Sequence, residues 1–486
     1  MKRDAMKLVA VAIAMLVGIA ACGGDDGAAY EPERLMDPNT CKDCHQDHHD
    51  QWSGSMHAYA ATDPIFRAMH KRGQRDTNGE LGMLCVKCHA PMAVARGTIT
   101  DANVKDFDFD TLGPEDNGVT CYFCHNVEKV NGDHNNPLQL AMDSTMRGGI
   151  GDPAHSPAHH SVRDPLMTNN SKKNDSSMCG SCHDIVNNQG VETERTFREW
   201  KTTVFATSLD APVSCGSCHM KASTGLIADG PGLDVTSRPN GFHDHKFVAI
   251  DQALVDFPQQ ATQDTALKEF LVGSSAIVGP KPRSGSPPGG ICVLTGGTIT
   301  VRVDALIPGH NFPSGSSFDR RVWVEVQAFD ASNNLLYSNG VVPDGMDPEK
   351  ATPTPLAMYF DRATKADGSN AHFIWDVAAI EPNDQNNAGK ANVLMPAVTF
   401  DANSPLFDHS HTASFINIPN ISTVDRVEAR LLVRPIAFEV LRDLVQSGDL
   451  DASYLDKVPT LEVDHSTWLR STMSTGAAMN TPCNPK

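Results

Sequence analysis

The sequence predicts two unlike parts: a mainly helical, loop-rich N-terminal domain, followed by an all-β, sandwich-like domain with a C-terminal helix. Residues 36–250 show little periodic hydrophobic pattern and many Asn, Asp and Gly residues, which is typical of loops. Residues 274–297 are rich in Gly, Pro and Ser and predict a linker. Beyond the linker, apolar and polar residues alternate, which is typical of antiparallel strands.

The composition limits the classes of function. The formal net charge is −19, which argues against binding to nucleic acid and against a general attraction to anionic lipid. Such a surface suits a basic partner or simply keeps the chain soluble. Aromatic residues make up only 6% of the 486 residues, so we expect another large apolar component in the core.

The N-terminus predicts an export signal. Lys2, Arg3 and Lys7 precede an apolar run at residues 8–21, which is too short to span a bilayer as a mature helix. A basic start and a small-residue end favour a signal peptide over a buried core helix. The last residues of the run, IAAC, resemble the lipobox of bacterial lipoproteins. That resemblance implies that Cys22 becomes the first mature residue, carries a lipid and anchors the chain at the outer membrane.

Ten of the thirteen cysteines form five C-x-x-C pairs, each followed directly by histidine. C-x-x-C-H is the attachment signature of c-type haem, because two thioethers hold the macrocycle and the adjacent histidine binds the iron. Zinc would need partner pairs that close four-coordinate sites, and disulfides would leave the five histidines unexplained. The sequence therefore predicts five covalently bound c-type haems, which also supply the missing apolar area. Without them, the segment is expected to be disordered.

The five motifs name the attachment residues directly. The predicted thioether cysteines are Cys41, Cys44, Cys85, Cys88, Cys121, Cys124, Cys179, Cys182, Cys215 and Cys218. The predicted proximal iron ligands are His45, His89, His125, His183 and His219.

Each iron also has a distal face. A histidine or methionine there gives a saturated electron-transfer haem, whereas an empty face leaves room for substrate. Ten further histidines lie between residues 46 and 250, so ligation by two histidines is the default prediction. His48 and His49 lie too close to His45 to reach the far side of its haem, and we expect them to be exposed. His57 lies about three helical turns further on and is expected to serve a different haem, whereas His70 lies among charges and is expected to be solvated.

Several stretches resemble multihaem cytochromes of the cytochrome c-554 type. CKDCH is followed by QW, SGSMHA and DPIF, and the later motifs lie in GMLCVKCHAPMA, GVTCYFCHNV, SSMCGSCHDI and SCGSCHM, with REW and HDHKF around the last one. The resemblance covers residues 38–250 and implies His57, His160 and His245 as distal ligands. His159 and His243 are the neighbouring alternatives. Tetrahaem relatives have one five-coordinate haem, so the resemblance also leaves an open iron as an alternative.

The C-terminal half predicts a sandwich. Alternating apolar residues occur in TITVRVD, RVWVEVQAF, HFIWDV and RVEARLLV, the pair Asn333–Asn334 predicts a hairpin turn, and AFEVLRDLVQSG predicts a helix. The segment IPGHNFPSGSSFDRRVWVEV resembles a C-terminal domain found in many such cytochromes. That domain offers His310 as a further distal ligand, the alternative being a loop histidine bonded to backbone. Cys292 and Cys483 bracket the domain and predict a disulfide in an oxidising compartment.

The predicted segments follow from these patterns: a lipoprotein signal peptide at 1–21, a flexible tether at 22–36, a pentahaem cytochrome domain at 37–255, a helix and linker at 256–297, a β-sandwich-like domain at 298–435, and a helical segment with a tail at 436–486.

The sequence is compatible with three functions. The favoured one is electron transfer to a redox partner protein by an exported, lipid-anchored cytochrome that faces the periplasm or the cell surface, because axial histidines are in surplus. No catalytic residues are predicted. The alternatives are a haem enzyme with one five-coordinate iron, acting on a small nitrogen or sulfur compound, and a subunit of a cytochrome filament.

Overall fold

A computed structural model of the chain describes residues 29–151, 156–167, 174–207, 213–230, 233–274, 277–278, 290–305, 308–351, 356–383, 391–401, 403–404, 406–407 and 410–473. The predicted signal peptide, Cys22, His155 and Cys483 lie outside the described residues. No helix among the described residues is long and apolar enough to cross a membrane.

The N-terminal part consists of short helices separated by loops. They are α1 (Pro32–Met36), α2 (Pro38–Lys42), α3 (Gln46–Ser53), α4 (Met56–Tyr59), α5 (Pro64–Asp76), α6 (Val86–His89), α7 (Pro91–Ala95), α8 (Cys121–His125), α9 (Asn174–Gly180), α10 (Thr196–Thr202), α11 (Val204–Thr207) and α12 (Cys215–His219). The side chains of Thr120 and Ser214 accept backbone N–H bonds and cap α8 and α12.

Two-stranded ribbons lie between these helices. They are β1 (Val127–Val130) with β2 (Leu138–Leu140), β3 (Thr145–Gly148) with β4 (His160–Arg163), β5 (Ile185–Val186) with β6 (Glu192–Glu194), and β7 (Ala222–Gly225) with β8 (Arg238–His243). The β3–β4 ribbon is parallel and the other three are antiparallel. The expectation of a mainly helical domain is therefore only partly met. Each C-x-x-C-H motif needs only one helical turn, and the chain between the motifs lacks the periodicity that would form longer helices.

Two packed sheets form the C-terminal domain, after helix α13 (Gln260–Ser274). One sheet has the order β10 (Ile291–Leu294), β11 (Thr298–Asp304), β17 (His411–Phe415), with β9 (Ile277–Val278) also on β11. The other has the order β13 (Leu335–Asn339), β12 (Arg321–Asp330), β18 (Val424–Arg434), β19 (Leu461–Leu469), with β14 (Met358–Tyr359) also on β12. Residues from both sheets share one apolar core, as the alternating pattern predicted.

Several local predictions for this half can be compared with the structure. Asn333 has φ +65° in the turn of the β12–β13 hairpin, as expected for this turn residue. Helix α15 (Phe438–Gln446) forms where a helix was predicted and buries Phe438 and Leu441. Three strands of the two sheets lie outside the predicted β-domain, because β9 and β10 lie in the predicted linker and β19 lies in the predicted tail. The remaining elements are α14 (Pro348–Ala351), β15 (Ala363–Thr364), β16 (Ala379–Ile380) and α16 (Arg470–Met473).

The predicted strand HFIWDV is wrong, because these residues form a turn between β15 and β16. Asp376 N donates to Phe373 O at 2.8 Å, and the rings of Phe373 and Trp375 stack with centroids 4.7 Å apart. Both rings lie in an apolar cluster that also contains Ala68 from α5 and Leu441 from α15. Apolar alternation here serves packing between the two halves of the chain rather than strand pairing.

Candidate functional site

The five motif histidines define five candidate sites. We number the sites by these residues: site 1 is His45, site 2 is His89, site 3 is His125, site 4 is His183 and site 5 is His219. At every site except site 4, Nδ1 of the histidine donates to a backbone carbonyl. The acceptors are Ile227 O at 2.7 Å, Ala60 O at 2.9 Å, Arg147 O at 2.6 Å and Val248 O at 2.7 Å, for sites 1, 2, 3 and 5 respectively.

These hydrogen bonds select the tautomer that a metal needs. A proton held at Nδ1 leaves the Nε2 lone pair free to bind iron, and the carbonyl fixes the orientation of the ring. Burial lowers the pKa of His45, His89, His125 and His219, so that the neutral, ligating form of each imidazole is favoured. The acceptors lie far from the motifs in sequence, so the fold as a whole orients the rings.

Four of the five motif histidines face a second histidine. Two imidazoles on opposite faces of one iron, with metal–nitrogen bonds of about 2 Å each, have ring centroids about 6 Å apart. Four pairs at this separation join a motif histidine to a histidine from a distant segment: His45 and His159 at 6.2 Å, His57 and His183 at 6.3 Å, His125 and His245 at 6.1 Å, and His219 and His310 at 6.1 Å. His45 and His48 are also 6.2 Å apart, but they are three residues apart in sequence and their rings meet edge-on, so they lie on the same side of site 1. The donor set and its spacing therefore fit four haem irons.

Three of the four predicted distal ligands, namely His57, His245 and His310, occupy such positions. The choice of His160 does not match the geometry, because His159 faces site 1 and His160 is exposed at the start of β4. Successive residues in extended chain point in opposite directions, so only one of two neighbouring histidines can face the site. The alternative to His245, which is His243, instead bonds through Nδ1 to Met220 O at 2.5 Å.

His57 is brought to site 4 by a close approach between two backbone segments. Val119 N donates to His57 O at 2.9 Å, directly after Gly118. Gly118 has φ +73°, and a Cβ atom there would lie 2.6 Å from His57 O. Glycine is therefore required at this position, just before the motif of site 3.

Site 2 has a different environment. Within the described part of the chain, no second histidine lies about 6 Å from His89. The Phe66 ring instead stacks on the imidazole face with centroids 4.1 Å apart, and Phe109 packs on Phe66. His70 was expected to be solvated, but it is only 3% exposed and bonds through Nε2 to Val104 O at 3.0 Å. The apolar residues around α5 bury it.

His48 and His49 are also less exposed than predicted. The His48 ring meets the His245 ring edge-on at 4.8 Å, and burial together with His45 and His125 lowers the pKa of His48 to about 4. His49 is half-buried, with Nδ1 3.7 Å from Asp50. Helix α3 places both side chains against its neighbours rather than in solvent.

Contacts between motif cysteines show how the sites adjoin. The Cys41 side chain contacts Cys121, Cys88 contacts Cys182, and Cys179 contacts Cys215. Site 1 therefore adjoins site 3, and site 4 adjoins both site 2 and site 5.

Phe247 connects the two groups of sites. Its ring lies 4.3 Å from the His57 ring of site 4 and 5.7 Å from the His245 ring of site 3. The five sites thus form one connected array with site 4 at its junction.

Site 4 differs from the others in the partner of its proximal histidine. Nδ1 of His183 lies 3.4 Å from Oε1 of Glu194 instead of a backbone carbonyl. Burial by itself lowers the pKa of His183, but the hydrogen bond and charge of Glu194 outweigh burial and raise it to about 9. No sequence signal connected Glu194 with this motif.

Site 5 is completed by the C-terminal domain. His310 lies in a loop at residues 308–319 and bonds through Nδ1 to Asn311 O at 2.8 Å. Oε2 of Glu199, on α10, accepts from Asn311 N at 3.1 Å and from Ser314 Oγ at 2.7 Å. Burial raises the pKa of Glu199 to about 7.

The structure also shows the state of the motif cysteines. Nine of the ten motif cysteines have free thiols, which haem attachment requires. Cys44 is disulfide-bonded, and a sulfur atom in a disulfide cannot also form a thioether. Cys292 is also disulfide-bonded, and its predicted partner Cys483 lies outside the described residues.

Comparison with known proteins shows which family and which fold the chain is similar to. Residues 40–126 match the family model described as cytochrome c554 and c-prime. The fold is similar to the crystal structure of a penta-heme cytochrome c552 from Thermochromatium tepidum, with a TM-score of 0.57 and 19% identity, over 90% of this chain and 100% of that one. A search of the curated proteins found no match.

The resemblance to multihaem c-type cytochromes is therefore confirmed. It supports covalently bound c-type haem as the cofactor and electron transfer as the general activity.

Proposed function

We propose that the chain is a five-haem electron-transfer protein of the cell envelope. The observation that carries this proposal is the set of four opposed histidine pairs, with ring centroids 6.1–6.3 Å apart, each pair containing one C-x-x-C-H histidine. When bound, each haem supplies a one-electron iron couple. Two imidazoles per iron close both axial positions to substrate, so these four sites suit electron transfer rather than catalysis.

The surrounding residues suit a relay. The contacts Cys41–Cys121, Cys88–Cys182 and Cys179–Cys215, together with the Phe247 ring, connect all five sites by direct side-chain contacts. The backbone carbonyls hold the proximal rings in one orientation, so little rearrangement accompanies a change of charge at the iron.

A haem count and an electron paramagnetic resonance spectrum test the proposal. We expect five haems per purified chain and at least four low-spin ferric signals. Fewer than four low-spin centres would contradict the proposal, because at least one opposed pair would then fail to bind an iron.

Site 2 favours a second candidate function. The absence of an opposing histidine at His89, among the described residues, supports an open iron that binds a small nitrogen or sulfur compound. We expect one high-spin ferric signal that cyanide converts to low-spin. Five low-spin signals before cyanide is added would exclude this candidate, whereas the relay would remain.

The location is proposed from the sequence. The signal-like N-terminus and Cys22 support export and a lipid anchor at the outer membrane, with a redox partner protein at the envelope. We expect Cys22→Ser to release the haem-loaded protein from washed membranes into the soluble fraction. If the variant stays in the membrane fraction, the lipid anchor is excluded.

A further inference from the structure

Glu194 is the one acidic side chain that contacts a proximal histidine among the described residues. Its Oε1 lies 3.4 Å from Nδ1 of His183, whereas the other four proximal histidines face uncharged backbone carbonyls. We infer that Glu194 tunes the haem of site 4 and holds its reduction potential below the value that a carbonyl partner would give. The inference rests on the proposed haem ligation by His183.

The β5–β6 ribbon places Glu194 beside the motif. Ile185, two residues after His183, pairs with Glu194 across the ribbon. The adjacent Thr193 is 1% exposed and its Oγ1 donates to Ile185 O at 3.3 Å, which holds β6 in register. The register shifts at this point, because Ile185 and Val186 pair with Glu194 and Glu192 while Thr193 has no partner on β5, so the bulge breaks the alternation of β6. Glu192 is exposed and pairs with Arg198.

The charge of Glu194 is only partly balanced by its surroundings. Its side chain is 14% exposed. The nearby guanidinium of Arg320 is already bound by both carboxylate oxygens of Asp251, each at 3.1 Å. The carboxylate is mostly buried, whereas the His183 side chain is 54% exposed, so solvent screens part of the effect of the charge on the imidazole.

The direction of the effect follows from charge. A carboxylate that accepts the Nδ1 proton raises the basicity of the ligating imidazole, and its negative charge stabilises ferric over ferrous iron. Both effects disfavour reduction at site 4. Removing the charge should therefore raise the potential of site 4 most, with a smaller rise at site 2, because the Glu194 charge also acts on His89. Sites 1, 3 and 5 should keep their potentials.

A low potential at site 4 affects the distribution of electrons in the whole array, because site 4 lies at its junction. Site 4 contacts site 2 and site 5 through cysteines, and contacts site 3 through Phe247. A low potential at the junction keeps site 4 oxidised while its neighbours are reduced. Electrons then reside mainly on sites 1, 2, 3 and 5 and occupy site 4 only transiently during transfer.

The test compares the full-length, haem-loaded protein with Glu194→Gln and Glu192→Gln in a redox titration followed by optical and paramagnetic resonance spectra. For Glu194→Gln we expect the ratio of oxidised to reduced iron to fall about tenfold at one centre at fixed potential, equivalent to 59 mV for a one-electron couple. Glu192→Gln removes an acidic residue from the same strand and should leave all centres unchanged.

Further outcomes distinguish a failure of the inference about Glu194 from a failure of the proposed relay. If Glu194→Gln does not take up haem, Glu194→Asp is tested in its place. Aspartate keeps the negative charge but has one methylene fewer, so the charge lies farther from His183. We then expect a smaller fall in the ratio of oxidised to reduced iron at the same centre. Unchanged centres in a variant with the wild-type haem count would overturn the inference and leave the relay intact. If His57→Ala removes no low-spin signal from the wild-type spectrum, site 4 holds no low-spin haem, and this result would overturn the relay instead.

Discussion

His159 and His160 show how one residue decides the identity of a ligand. The two side chains are neighbours, yet His159 faces His45 across 6.2 Å while His160 lies exposed at the start of β4. Burial and the nearby His45 lower the pKa of His159 to about 4, which favours its neutral form. The direction in which each side chain points therefore decides which of the two histidines is the ligand. The residue types alone do not decide it.

This assignment predicts opposite results for two matched variants. His159→Met should keep all haems attached, because the thioethers remain, and should raise one midpoint potential on the order of 0.1 V, since methionine ligation favours ferrous iron. His160→Met should leave every potential unchanged. Protein-film voltammetry of both variants measures the difference, and a shift in His160→Met alone would reverse the assignment.

The attachment residues could be predicted from sequence because the chemistry of the thioethers fixes their spacing within one helical turn. The distal ligands and Glu194 could not be predicted in this way, because they reach their sites through contacts between distant segments. His310 joins His219 from 91 positions further along the chain, and the choice between His159 and His160 depends on one reversal of direction. The family resemblance limited the distal ligands to a few candidate histidines, but only the fold distinguished between neighbouring histidines such as His159 and His160.

Helix α10 and the loop at residues 308–319 form the element that completes site 5. Glu199 on the helix accepts bonds from Asn311 N and Ser314 Oγ, and Thr196 Oγ1 accepts from Gly315 N at 3.0 Å. These bonds hold the loop on both sides of its turn. The distal histidine of site 5 therefore depends on contacts between the two domains.

Glu199→Ala should loosen this loop. Losing two hydrogen bonds to a buried carboxylate costs about 1–3 kcal/mol, enough to detach His310 from site 5 in part of the population. We expect one high-spin ferric centre more than in the wild type, with an unchanged haem count. Glu199→Gln keeps an accepting oxygen and should restore the wild-type spectrum. A Glu199→Ala protein with the wild-type number of high-spin centres would show that His310 is held without this contact.

Period-two patterns predicted some strands correctly and one wrongly for a physical reason. In β11 and β12 the alternating residues face a partner sheet, so the pattern and the structure agree. In HFIWDV the buried residues face the N-terminal part of the chain, and the backbone turns to present them. Alternation reports which side chains are buried, and it indicates a strand only where a neighbouring strand is available.

At the scale of the whole molecule, the two domains are joined by apolar and charged contacts. Phe438 and Leu441 of α15 pack in one cluster with Ala68 of α5. Beside this cluster, Arg75 of α5 donates to both carboxylate oxygens of Asp449 at 2.7 and 2.6 Å. The C-terminal domain is thus coupled to the N-terminal part of the chain as well as supplying a ligand.

The Asp449 ion pair predicts a pH-dependent coupling. Burial alone raises the pKa of Asp449, but the bond from Arg75 outweighs it and lowers the pKa below the usual 3.8. Because the folded-state pKa is depressed, the stabilisation is fully present above about pH 4 and is lost as the pH falls through the folded-state value. Asp449→Asn should reduce the free energy of unfolding by about 1 kcal/mol at pH 7, since Arg75 is half-exposed and partly screened.

Guanidinium unfolding, followed by circular dichroism at pH 7 and at pH 3, measures this difference. We expect wild type and Asp449→Asn to differ at pH 7 and to differ less at pH 3, because the stabilisation begins to be lost below the usual pKa of an aspartate. Asp456→Asn changes an exposed residue of the same C-terminal segment and should match the wild type at both values. An equal difference between wild type and Asp449→Asn at both pH values would assign the effect to packing around α15 rather than to the ion pair that joins the two domains.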